Sequence, residues 1–182
     1  IVADVDVRVY KSDLQAVCDS LMYSDADSLF QFFKNPIIWS DTSQFSSDTV
    51  RIVLANETID KIYLFNNAFI INSPDEVFFN QIKGRNVQAD FIEDQLRTIN
   101  VEGSGESVYY IQDDGKAYIG VNKTVCSEMF ILFGNNEIEK IKFITQPKAT
   151  MFPMKQANHV KLRMAGFRWD MDRRPRGVWD LR

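Results

Sequence analysis

At 182 residues, 45% hydrophobic and 25% charged, the chain is long enough for one well-cored domain and has the composition of a globular protein. Its net charge of −4 divides unevenly: residues 154–182 carry eight Lys/Arg against three Asp, a balance of +5, which leaves residues 1–153 at −9. The body therefore repels polyanions, which argues against a nucleic-acid partner, and no apolar run approaches the roughly 18 residues that cross a bilayer.

Fourteen Phe and six Tyr tilt the composition toward strand. Helical spacing is poor along the chain, except over Asp13–Ser28, where a helix stays open as a reading. The same stretch holds a weak form of a pattern that becomes strong further on, with Leu14, Ala16, Cys18, Tyr23 and Ala26 in place but Ser28 out of it. The first full copy is Val50, Ile52, Leu54, Ile59, Ile62 and Leu64. Val87, Ala89, Phe91, Leu96, Ile99 and Val101 repeat its offsets, as do Met129, Ile131, Phe133, Ile138, Ile141 and Phe143. With 45% apolar residues, one such six-position match arises by chance roughly once in 120 trials, so three copies spaced 37 and 42 residues apart are a true repeat.

Each copy alternates with period two, breaks, and alternates again. The breaks hold turn formers, "ANET" at 55–58, "IED" at 92–94 and "GNNE" at 134–137. Further turns are expected at "NSPDE" (72–76), "GSGE" (103–106) and "DDGK" (113–116). One face of each unit is apolar; the other carries Arg51, Lys61, Tyr63, Arg97, Asn100, Lys140 and Lys142 and is wet. The expectation is an all-β protein, a folded-over antiparallel sheet or β-jelly-roll of two-stranded repeats about 40 residues long. Three or four such units hold too few strands for a propeller. Growth along one axis leaves the first and last strands as unpaired edges.

Little in the chain speaks of catalysis. His159, the only histidine, lies in the basic tail and reads as solvated, which removes most histidine triads and zinc sites. "GSGES" at 103–107 is neither a nucleophile elbow nor a phosphate loop. Asp25 and Asp27 lack the other ligands of a calcium loop. Neither catalytic residues, nor a metal, nor a cofactor is expected. Cys18 and Cys126 read as two buried thiols, with a disulfide between them the alternative.

The last segment differs in kind. The boundary is placed between a repeat domain, 1–153, and a basic, tryptophan-containing tail, 154–182. Its aromatics suit a strap over an open end or edge of the sheet; Arg168, Trp169, Arg173, Arg174 and Arg176 are candidate anion or partner contacts.

The phrases "NPIIWSDTSQFSSDTVRI", "FNQIKGRNVQADFIEDQLRTINVEGSGESVYY" and "IGVNKTVCSEMFILFGNNEIEKIKFITQPKATMFP" resemble the OstA-like, LptA-type family as it occurs in Bacteroidetes-type bacteria. The closing "GFRWDMDRRPRG" resembles the ending of that group, and the likeness runs from about Val7 onward. The resemblance implies a β-taco whose interior shields lipid acyl chains in the periplasm. It also implies transport of lipopolysaccharide to the outer membrane, with other transport proteins or further copies joined by edge-strand pairing. It implies export, with any leader or anchor preceding Ile1, and transfers no catalytic residues. The lipid-lining positions it implies are the apolar face of the repeat: Val50, Ile52, Leu54, Ile62, Leu64, Val87, Phe91, Ile99, Val101, Met129, Ile131, Phe133, Ile141 and Phe143. The rival expectation is an envelope scaffold whose core is closed and holds no lipid.

Overall fold

The protein is described here by a computed structural model over residues 1–135 and 137–181. Asn136, in the third predicted turn, and Arg182, among the tail's counted cations, lie outside the described residues. Among the described residues twelve strands form one antiparallel sheet. They are β1 (Val2–Tyr10), β2 (Gln15–Ser24), β3 (Leu29–Phe33), β4 (Ile37–Ser40), β5 (Ser43–Ser46), β6 (Thr49–Ala55), β7 (Thr58–Asn72), β8 (Asn80–Ile92), β9 (Gln95–Gln112), β10 (Tyr118–Gly134), β11 (Glu137–Ile144) and β12 (Lys148–Pro153). β3 and β4 both pair with β2, and β11 and β12 both pair with β10; β5 and β6 both pair with β7. Each of those couples is one long strand interrupted midway, so the sheet is a simple meander of long strands.

The three copies of the repeat are the hairpins β6–β7, β8–β9 and β10–β11. Their six apolar positions are three cross-strand pairs each: Val50–Leu64, Ile52–Ile62 and Leu54–Ile59 in the first. Val87–Val101, Ala89–Ile99 and Phe91–Leu96 follow in the second, and Met129–Phe143, Ile131–Ile141 and Phe133–Ile138 in the third. Every hairpin shifts register by one residue between its second and third pair, and that bulge is why the offsets break from strict alternation. Asn56 and Glu57 turn the first hairpin and Glu93 and Asp94 the second, all at positive φ.

Three expectations need correction. The "GSGE" stretch is no turn: β9 runs through it from Gln95 to Gln112. Asp13–Ser28 is no helix, because Gln15–Ser24 is strand β2. The faint fourth copy falls with it, since Leu14 through Tyr23 run along one strand direction and the hairpin to β3 turns only at 25–28. Apolar matches on one strand imitate a repeat when no turn separates them.

What "GSGE" does instead is bend the strand. Alternate long strands carry two adjacent residues of positive φ at mid-length: Val5–Asp6, Lys34–Asn35, Asn66–Asn67, Gly103–Ser104 and Thr145–Gln146. The strands between them answer with a register shift or a break, as at Cys126/Glu128 on β10 and Lys83/Asn86 on β8. A left-handed residue reverses the local twist, so five such pairs in line crease the sheet across its width. The crease divides it into two leaves that close on each other.

Side chains from both leaves meet in one core, with Ile38, Phe45 and Ile70 from one leaf facing Ile52, Ile62, Val101 and Ile131 from the other. Burying each aliphatic chain contributes roughly 1.5–3 kcal/mol, so this seam is the main source of stability. The expectation of one apolar face holds for the leaf built by the repeat hairpins. The other leaf is apolar on both faces: Phe69, Ile71, Val108, Tyr110 and Val121 look outward, and Leu162 and Met164 of the tail cover them. Val17, Ile37 and Trp39 continue that outer layer against Met171.

Candidate functional site

All fourteen predicted lining residues face the space between the leaves. Val50, Ile52, Ile62, Leu64, Val87, Phe91, Ile99, Val101, Met129 and Ile131 are buried in its core. Leu54, Phe133, Ile141 and Phe143 are half-buried against that core, toward the turns and the last strand. Strand alternation places them there, because each hairpin has a single apolar face and the crease turns all those faces inward.

The space between the leaves is nearly filled: a gap of about 70 Å³ remains where Phe45, Phe91, Leu96 and Phe133 meet. The apolar cleft between the leaves near β11 has room for only about 20 Å³, about one water, and Ile70, Ile82, Leu96, Ile131, Phe133 and Ile138 crowd it. It adjoins a polar recess of about 500 Å³ at the β11 end of the sheet, with which it shares Asn72, Asn80, Tyr109, Phe133 and Ile138. Among the described residues β11 and β12 pair only with β10, and β1 only with β2, so the sheet ends in two strands unpaired on one side.

The tail's last turn, Val178–Leu181, lies against edge strand β1, where Arg8 donates to the Asp180 carbonyl at 3.4 Å. Before that turn the tail crosses the outer face of one leaf as a strap, held by three buried glutamines. Gln81 accepts the Met164 N–H at 2.8 Å and donates to the Leu162 carbonyl at 3.3 Å. Gln44 repeats the arrangement, accepting the Asp170 N–H at 2.8 Å and donating to the Arg168 carbonyl at 2.7 Å. Gln15 accepts the Arg174 Nε–H at 2.7 Å. A strap lying across strands cannot ladder with them, so side-chain amides stand in for backbone and satisfy its buried polar groups.

The candidate contact residues of the tail separate accordingly. Trp169 stacks edge-on against Phe79 at 5.4 Å, and Arg174 donates to both Gln15 and the Asp41 carbonyl. Burial lowers the Arg174 guanidinium's pKa from its ordinary value. Arg168 pairs with Asp170 at 2.9 Å on the surface, and Arg173 and Arg176 are exposed. His159 is half-buried, its Nδ1 3.1 Å from the Tyr110 hydroxyl and its ring 5.1 Å from Phe78, so it is a strap anchor more than a solvated side chain. No local pattern predicted the glutamines as anchors. The apolar runs "IIW" at 37–39 and "AFII" at 68–71 did carry a sign that this leaf is covered on both faces.

Cys18 and Cys126 are free and buried, which settles their pairing in favour of two thiols. Burial pushes Cys18 up to about 11 and raises Cys126 as well.

The creased, antiparallel sheet is an LptA-like β-jelly-roll. The structure of LptH from Pseudomonas aeruginosa, described as the LptA-homologous periplasmic component of a lipopolysaccharide transport device, matches it with a TM-score of 0.54. The match covers 73% of this chain and 94% of that one at 9% sequence identity, which shows the fold alone. No protein-family model matches the sequence. No curated protein matches it either.

Proposed function

We propose that this protein is a periplasmic, non-enzymatic carrier of acyl lipid, lipopolysaccharide above all, on its way to the outer membrane. Acyl chains lie between the two leaves against the apolar rows of the repeat, and the unpaired strand edges, β11 at one end and β1 with the tail's last turn beside it at the other, join the protein to other envelope transport proteins or to a second copy. The observation that carries the reading is the continuity of those rows: three hairpins in the same register present one apolar strip with no fixed polar partner along it. Each buried methylene of a chain contributes about 0.8 kcal/mol, and such a strip holds a chain without fixing its position. The resemblance of fold to a periplasmic transport component supports the same reading.

A photo-crosslinking residue at Ile62 or Val101 tests it, with Tyr63 on the outer face as the control. Lipopolysaccharide adducts from the inner positions alone are expected. Adducts that are absent, or equal at Tyr63, end the reading. A second reading, an envelope scaffold with a permanently closed core, is favoured by the filled cleft of about 20 Å³. Native mass spectrometry of protein isolated from its own envelope separates the two, since a scaffold carries no co-purifying lipid.

A further inference from the structure

On strands β7 and β8 the inner face changes from apolar to polar within one alternation, and β9 meets that boundary with Ser107 and Tyr109. Ile70 is followed by Asn72, Ile82 is preceded by Asn80, and Ser107 is followed by Tyr109; all six line the cleft near β11. The asparagines form a connected rim. Asn80 donates to Asn72 at 3.4 Å and accepts the Tyr110 N–H at 2.8 Å, while Asn72 donates to Thr42 at 3.0 Å and Ser43 at 3.1 Å. Ser107 sits on the boundary itself, level with Ile82 in the ladder. It is 2% exposed, and its Oγ has no hydrogen-bond partner. A buried hydroxyl without a partner is costly, and the cost is recovered if an occupant of the cleft supplies one.

Beyond the rim lies the polar recess, where Asp113, Asp114 and Glu137 stand against Lys116. Lys116 is ion-paired with Glu137, so the recess keeps a net negative charge. Such a recess disfavours a phosphate and accepts hydroxyls, amides or an amine.

We infer that the β11 end of the interior is a binding site for an amphiphile with an uncharged or amine-bearing, hydroxyl-rich head. The head occupies the recess, the carbonyl at its junction with the acyl chain accepts a hydrogen bond from Ser107, and the chain enters between the leaves. This rests on the lipid-carrier reading and narrows it to lipids whose head at this mouth carries no free phosphate. Admission of the chain requires the half-buried Leu96, Phe133, Ile138 and Ile141 to part; the last two belong to β11, which is held along one edge only.

Three amphiphiles of equal chain length test it by displacing N-phenyl-1-naphthylamine from the purified protein at submicellar concentration: monomyristoylglycerol, tetradecyl glyceryl ether and tetradecyl phosphate. The ester is expected to compete about fivefold better than the ether, the worth of one neutral hydrogen bond, with the gap lost in Ser107→Ala. The phosphate is expected to be weakest at low salt, by about threefold or more, and to recover in Asp114→Asn and at high salt. A phosphate that competes as well as the glycerides, or an ester preference that survives Ser107→Ala, overturns the inference. If all three displace the dye equally, the carrier reading stands and this one falls. If neither dye nor amphiphile binds, both fall together.

Discussion

Gln44 and Asp170 stand 126 positions apart in the chain, yet the Asp170 N–H donates to Gln44 Oε1 at 2.8 Å inside the protein. The same oxygen accepts the Trp39 indole N–H at 3.2 Å, and the amide N–H donates to the Arg168 carbonyl. Gln44→Leu keeps the volume but leaves those three groups, the buried Trp39 indole among them, without that partner. It is expected to destabilise by about 1–3 kcal/mol in urea unfolding, and Gln81→Leu by a similar amount. A neutral result for both would mean that the strap is held by its apolar contacts alone.

Ile131 and Ile141 face each other in the third hairpin, one buried and the other half-buried. Ile131→Ala opens a cavity that the two leaves cannot collapse around, and a loss of about 2–5 kcal/mol is expected. Lys142, one position along on the wet face, is exposed, and Lys142→Ala should stay within about 0.5 kcal/mol. Chemical denaturation of the two variants side by side measures the inward sense of the repeat.

The crease makes opposite predictions for its own residues. Gly103 has φ +75°, and a Cβ there would come 3.1 Å from the Arg85 Cβ. Gly103→Ala is therefore expected to cost about 1–2 kcal/mol. Lys34 is exposed with φ 60°, so Lys34→Gly relieves its left-handed strain and should raise stability by up to about 1 kcal/mol. Thermal melts of the pair should move in opposite directions.

Asp75 and Tyr118 are linked across the β11 end, the hydroxyl donating to the carboxylate at 2.7 Å. Burial works to raise Asp75, but hydrogen bonds from the Phe78 and Val77 N–H groups, Tyr118 and Ser73 prevail and hold it below its ordinary 3.8. Its contribution to stability is present above pH 3.8 and fades as pH falls through the lower folded value. Burial first, and then the bond to Asp75, pushes Tyr118 up to about 12 from 10.0, so its contribution is present below pH 10.0 and fades as pH rises to about 12. Asp75→Asn should flatten the acid limb of a stability–pH curve and Tyr118→Phe the alkaline limb.

The thiols give a simple test of closure. With Cys18 near 11 and both cysteines buried in the seam, little thiolate is exposed at pH 8, and a disulfide-exchange reagent should react only after denaturation. Fast reaction of both in the native protein would show that the leaves part readily. Added amphiphile that accelerates the reaction of Cys126, which lies in the seam on β10, would show that ligand parts them.

Much of the fold could be read from residue order because its units are local. The apolar pairs of each repeat hairpin join residues fourteen or fewer apart, as Val50 and Leu64 are, and alternation then fixes which face is apolar. That was enough to identify the inner residues, down to Ile99 and Ile131. It failed at "GSGE", because glycine and serine at positive φ serve equally in a turn that reverses a strand and in a bulge that bends one. Only the neighbours on each side, Arg85 on β8 and Ser127 on β10, decide between them, since a strand that keeps its partners beyond the bulge has not turned back.

The order of residues by itself determined the repeat, its register and its inward face, all consequences of spacing within one hairpin. Tertiary structure alone decided where the crease lies, which leaf is doubly covered, and that the tail crosses an outer face on glutamine side chains. Those depend on contacts such as Gln15 to Arg174, 159 residues apart, where no periodicity reaches and a buried amide is indistinguishable in sequence from a solvated one. The apolar strip was legible; the Ser107 hydroxyl at its boundary was not, because its burial comes from Ile82 on one side, Thr124 on the other and the opposite leaf above.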